Sequence, residues 1–200
     1  FMAKLDLIEN ASELGAGTRG ASLGIEALKI AAFNVKSDYF NKYKTSEIEA
    51  NNSILFKEVD TENAIRIEDI EEVYNSISSR VSESLTSNKF PLILAGDHSS
   101  AGGTIAGIKI SNPEARVGVV WIDAHGDLHT PYTTPSGNVH GMPLATAIGE
   151  DNVENKVNDP SEKTIKHWEN LKSIGGITPK ILPEDIIFIA VRDTESPEDR

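Results

Sequence analysis

Asp123, His125 and Asp127 occupy alternate positions in the stretch W-I-D-A-H-G-D, directly after the apolar run Val117–Ile122. In extended backbone alternate side chains share a face, so the spacing predicts all three on one side of a strand's end. Carboxylates mixed with imidazole suit a borderline divalent metal such as manganese, zinc or iron better than calcium. Two neighbouring carboxylates repel each other, and a cation relieves that repulsion. Taken alone, the triplet reads equally as the polar loop that follows many strands.

A second apolar run, Phe90–Ala95, ends in Gly96-Asp97-His98-Ser99-Ser100. Ligand sites of open α/β sheets gather beyond the carboxyl ends of strands. Two strands that each deliver Asp or His there converge if they are neighbours. His98 by itself reads as a hydrogen-bonded turn histidine, but beside the triplet it reads as a fourth metal ligand. Ser99 or Ser100 is expected to cap a helix over Ala101–Ile110, and Gly102 and Gly103 to permit close packing.

The combination A-G-D-H-S, W-I-D-A-H-G-D and S-G-N-V-H-G (Ser136–Gly141) resembles the arginase (ureohydrolase) family, binuclear manganese enzymes that hydrolyse guanidino compounds to urea. The resemblance extends from the Gly-rich N-terminal segment to the end of the chain. The third motif resembles the arginase branch more than the agmatinase or formimidoylglutamase branches. The resemblance implies two Mn2+ ions per complete site. His98 and Asp127 would serve one ion, His125 the other, Asp123 would bridge, and a hydroxide between the ions would attack the guanidinium. It also implies a proton-transfer role for His140, counted with Asp127 as catalytic, and an imidazole suits that work near neutral pH. His140 also reads as a cap for a helix starting at Gly141. Ser136, Asn138 and Thr134 resemble residues that bind the substrate's α-carboxylate. Arg192–Glu198 resembles the segment R-D-x-D-x-x-E. That places Asp193, Glu195 and Glu198 at the substrate, with Glu195, one methylene longer than the family's aspartate, at the α-amino group. Both glutamates also read as solvated acids.

Two departures stand out. His129 occupies a position where arginases commonly carry Asn, which alters a carboxylate contact; the spacing argues against His129 as a further metal ligand. The family also supplies two ligand aspartates in a D-x-D motif beyond the point reached at Arg200. The 200 residues therefore present four of six expected ligands, the first two-thirds of an arginase-like domain with the C-terminal part missing, and weak metal binding without efficient turnover is the expectation for them.

The implied reaction is manganese-dependent hydrolysis of L-arginine to L-ornithine and urea. Agmatine or another guanidino compound is the alternative substrate. A non-catalytic metal-binding or oligomer-forming relative, or an inactive fragment, is the alternative of another class. Family resemblance implies a homo-oligomer, trimer or hexamer.

Bulk composition narrows the field. The chain has 200 residues, 19 Lys and Arg against 31 Asp and Glu, and a formal charge of −12. The length suits a single α/β domain over residues 1–200 with a sizeable core. An acidic surface argues against nucleic acid and anionic membranes as partners. The absence of cysteine excludes disulfides, thiolate metal sites and a thiol nucleophile, and fits a reducing cytoplasm, the expected compartment. No signal-peptide pattern or long apolar run is present. Phe1 ahead of Met2 reads as an addition and is set aside.

The elements that must position these residues alternate along the chain. Strands are expected at Lys4–Ile8, Ser53–Phe56, Pro91–Ala95, Val117–Ile122 and Asp185–Val191. Helices are expected at Ile25–Phe33, with Ile25, Leu28 and Ala32 on one side, and at Ile67–Ser87, where Ile70, Val73, Tyr74, Ile77, Val81 and Leu85 recur at helical steps. Further helices are expected at Gly141–Gly149 and Ser161–Leu171, and Ser37–Asn52 reads as loop. The glycines between Gly15 and Gly24 match neither nucleotide-loop pattern. The unbroken apolar run Val117–Ile122 predicts a buried parallel strand, paired with Pro91–Ala95 through the intervening helix. The expected fold class is three-layer α/β/α with a mostly parallel sheet covered on both faces.

Overall fold

The computed structural model describes residues 4–198, so Phe1 lies outside the described residues. Strand β1 (Lys4–Asn10) sits between β2 (Thr45–Ile48) and β3 (Lys89–Ala95), and both pairs are parallel. Strands β4 (Val119–Ile122) and β5 (Ile186–Ile189) form a second parallel pair, with Val119 opposite Ile186. Every strand pair among the described residues is parallel, as an α/β chain with helical crossovers requires.

Helix α1 (Leu23–Asn34) and the short α2 (Tyr39–Lys42) follow β1. Helix α3 (Ile67–Thr86) carries the strongest periodicity in the sequence. It buries Ile67, Ile70, Val73, Tyr74, Ile77 and Val81, with Leu85 partly buried against the same core. Helix α4 (Ser100–Ser111) packs against α3 along a glycine face. A Cβ on Gly102 would come within 2.4 Å of the Tyr74 ring, and one on Gly107 within 2.6 Å of the Ser78 carbonyl. Only glycine lets the two backbones approach this closely. Helix α5 (Pro143–Ile148) begins with proline, which suits a first turn, and α6 (Glu162–Lys172) is capped by Ser161, whose Oγ accepts the Thr164 N–H.

Several expectations are corrected. Ser53–Phe56 is not a strand but lies in a 3-10 turn, Asn52–Phe56. The Asn51 side chain accepts from the Ser53 N–H and hydroxyl, and this local bonding outcompetes extension. Part of the expected loop Ser37–Asn52 is α2 and β2, because pairing with β1 overrides a polar composition. Strands β3 and β4 do not pair with each other. Each pairs on its other side, with β1 and β5 respectively, and their facing edges border an apolar groove. The run Val117–Ile122 is not a fully buried strand. Trp121 points into the helical layer, while Val120 and Ile122 are 58% and 72% exposed. No described helix covers that face. The expected apolar side of α1 likewise buries only Ile25, and Leu28 is exposed.

Candidate metal centre

Strands β3 and β4 end at the same place, and their last residues set the site. His98 lies three residues past β3. Its ring stacks on Trp121 of β4, with centroids 4.5 Å apart and planes inclined by 20°. Trp121 is buried in a small cluster with Ile105, Leu144, Ala147 and Ile181, so it offers the imidazole a fixed platform. From that platform His98 Nδ1 lies 3.1 Å from Asp123 Oδ2 and 2.8 Å from Asp127 Oδ2. One ligand atom from each of the three residues falls within 4.8 Å of the others, the spacing a single divalent cation needs.

The triplet reaches this geometry by a different route from the one its spacing predicts. β4 has ended at Ile122, and Asp127 takes a left-handed backbone conformation with φ +51°. A non-glycine residue there is strained and persists only where its surroundings enforce it. The turn carries Asp127 back toward His98, and His125 does not join that trio. Instead Asp123 faces two ways. Its Oδ2 approaches His98, and its Oδ1 accepts the His125 N–H at 2.8 Å and lies 3.2 Å from His125 Nδ1. His125 Nε2 is then 3.7 Å from Asp193.

The electrostatics fit a cation. Burial works against a charged His98, but the pairing with Asp127 and the charges of Asp123 and Asp97 outweigh it, so the His98 pKa is raised. Burial likewise opposes ionisation of Asp123, but the His125 N–H and the two imidazoles hold its pKa low. Asp127 Oδ2 is buried with no hydrogen bond aimed at it, although His98 Nδ1 is within ion-pair distance. A buried carboxylate oxygen facing an imidazole nitrogen is a pair of donor atoms that one divalent cation can share. One imidazole and two carboxylates make a donor set that fits a divalent metal ion.

All twelve residues named from the sequence as site candidates line one cavity of about 460 Å³. Their side chains are not all free. Glu198 is buried; its Oε1 accepts the Leu128 N–H and its Oε2 the Glu195 N–H, with His129 Nε2 at 3.5 Å. His129 Nδ1 also lies 3.3 Å from Thr133 Oγ1. Thr134 Oγ1 accepts the Gly137 N–H and Ser136 Oγ the Asn138 N–H, so both hydroxyls shape the loop that carries them. Among the described residues no lysine or arginine lines the cavity, whereas Asp193, Glu195 and Glu198 do. Sequence reasoning passed over Trp121 as a strand residue and Asp97 as part of a turn; only the packed structure assigns them contacts at the site.

The family model for the arginase family matches residues 7–200. The chain belongs to the arginase family. It is 36% identical to the arginase of Brevibacillus brevis over 188 residues, which covers 93% of this chain and 56% of the relative. With the arginase of Bacillus caldovelox it shares 31% identity over 199 residues, 98% of this chain and 60% of that one. The crystal structure of the Bacillus caldovelox arginase at pH 5.6 superposes with a TM-score of 0.75 at 30% identity, covering 98% of this chain and 60% of the other. The Entamoeba histolytica arginase in complex with L-ornithine gives 0.74 at 29%, covering 98% of this chain and 62% of that one. The arginase-like segment thus spans less than two-thirds of the length of these relatives. No described helix is long and apolar enough to cross a membrane.

Proposed function

We propose that this chain contributes the greater part of a manganese-dependent ureohydrolase site that converts L-arginine to L-ornithine and urea. The single observation that carries the proposal is the convergence of His98, Asp123 and Asp127 at one end of a cavity whose described lining includes no lysine or arginine. His98 and Asp127 would hold one ion and His125 a second. Asp123, with one oxygen toward each histidine, would lie between them. Two divalent ions held by these residues would supply a water-derived nucleophile at neutral pH.

The chain's own groups do the rest. A guanidinium is a resonance-stabilised cation, and the acids of this cavity favour it over neutral or anionic groups. Asp193 and Glu195, on the segment after β5, would face a substrate amino group. Thr134, Ser136 and Asn138 offer neutral polar contact to a carboxylate, supplemented by the backbone of their loop. His140 is exposed to the cavity, where its imidazole can hand a proton to the amine nitrogen as the carbon–nitrogen bond breaks. His129 packs between Thr133 and Glu198 and supports the wall that carries the acids.

A second reading is favoured by the same acidic lining: a guanidino amine without a carboxylate, such as agmatine. Urea release from L-arginine and from agmatine, measured with manganese in the full-length protein, separates the two. Turnover of arginine at least tenfold more efficient is expected. Urea from neither substrate, with metal bound, would overturn the hydrolytic reading and favour a non-catalytic metal-binding relative. His125→Ala is expected to abolish urea release and leave the fold intact.

A further inference from the structure

Asp97 is one residue from His98, yet it stands outside the group of atoms able to share a cation. Both its oxygens are committed to backbone. Oδ1 accepts the Ser99 N–H at 2.8 Å, and Oδ2 accepts the Gly15 N–H at 3.0 Å, across 82 residues of sequence. Bonds to an ionised acceptor are shorter and stronger than neutral ones, and Asp97 and Gly15 are both buried. The fit is tight. A Cβ on Gly15 would lie 2.5 Å from Asp97 Oδ1 and 2.5 Å from Ser99 Oγ.

The other side of Gly15 faces the substrate loop. Its carbonyl accepts the His140 N–H at 3.1 Å. Among the described residues no side-chain hydrogen bond is recorded for the His140 ring. Backbone bonds fix its place: His140 to Gly15, Gly141 N–H to Asn138, and His129 N–H to the Gly141 carbonyl. The Gly15 bond ties the His140 peptide itself to a distant part of the chain, while the Ile65 N–H bonded to the Gly137 carbonyl at 2.7 Å anchors the loop three residues earlier.

We propose that Asp97 is a positioning residue for His140, acting through the Gly15 peptide to fix where the imidazole enters the cavity. The proposal rests on the proton-transfer reading of His140. Its consequence is a division of labour within one motif: His98 supplies a ligand, and Asp97 aligns the opposite wall.

The experiment uses the manganese-loaded, full-length protein and the variants Asp97→Asn, His140→Ala and both together. Asp97→Asn keeps the shape but leaves one carbonyl oxygen for two N–H donors. It is expected to lower kcat 10- to 100-fold, with KM changed less than threefold and metal content unchanged. In the His140→Ala background the same change should cost nothing further, because its effect passes through that imidazole. Hydrogen exchange gives a readout that does not depend on activity: the His140 amide should exchange at least tenfold faster in Asp97→Asn, with the α3 and α4 amides unchanged. Gly15→Ala should loosen the same amide from the other side, a second route should Asp97→Asn fail to fold. Costs that multiply in the double variant, or a His140 amide still protected in both Asp97→Asn and Gly15→Ala, would overturn the proposal. Unchanged turnover in His140→Ala would instead remove the proton-transfer reading, and the exchange rates would still decide whether Asp97 holds the loop.

Discussion

The β1–β3 half of the molecule and the β4–β5 half are built to different standards. Behind β1 and β3, helices α3 and α4 interdigitate over a core running from Ile8 through Ile67, Tyr74 and Ile77 to Trp168 and Leu171. Behind β4 and β5 the buried cluster is only Ile105, Trp121, Leu144, Ala147 and Ile181, and the opposite face presents Val120, Ile122, Ile187 and Ile189 to solvent. The candidate metal centre straddles the two. His98 comes from the well-packed half, while Asp123 and Asp127 come from the thinly packed one. The strained backbone at Asp127 therefore draws little support from β4 itself. It is held from its own half by the Leu144 N–H bonded to the Asp127 carbonyl and from the other by His98, which stacks on Trp121 and faces Asp127 Oδ2 at 2.8 Å.

The sharpest way to break the comparison is a steric change in the well-packed half. Gly107→Val drives a side chain into the Ser78 carbonyl and Val81, where backbone cannot yield cheaply, and about 3 kcal/mol or more of stability should be lost in denaturant unfolding. An intermediate effect tests the seam between the halves. Lys180 is buried, and its Nζ donates to the Lys172 carbonyl at the end of α6, while its N–H bonds Ala147 in α5. Burial pushes its pKa down to about 8. A lysine depressed in the folded state is protonated more in the unfolded chain, so stability should rise as pH climbs from about 8 toward the ordinary lysine value of about 10.4. That slope should be smaller in Lys180→Met, measured as the difference between the two unfolding profiles. The smallest effect is expected on the open face: Val120→Thr should change stability by no more than about 0.5 kcal/mol. A loss comparable to Gly107→Val would show that face to be covered in solution.

How legible this was in the sequence depends on which half is read. Helix α3 announced itself because its apolar residues recur every three or four positions and all are used. β4 was legible as a strand but not as a half-exposed one, since Val120 and Ile122 look the same in sequence whether or not something covers them. The ligand residues were legible as types, while the manner of their convergence was not. A two-residue period implied a shared strand face, whereas the structure uses a left-handed turn at Asp127, a conformation that aspartate tolerates but that its presence alone does not predict. The clamp by Asp97 was hidden altogether, because hydrogen bonds over 82 residues leave no local pattern.

The claim on which the account depends is that His98, Asp123 and Asp127 hold a divalent cation, and Asp127→Asn tests it most directly. Asparagine tolerates the left-handed region as well as aspartate does, so the backbone should survive while the charge is removed. Manganese titration by calorimetry is expected to give an affinity at least tenfold weaker than the parent protein, with metal-free thermal unfolding little changed. Equal affinity in the two proteins would contradict the site.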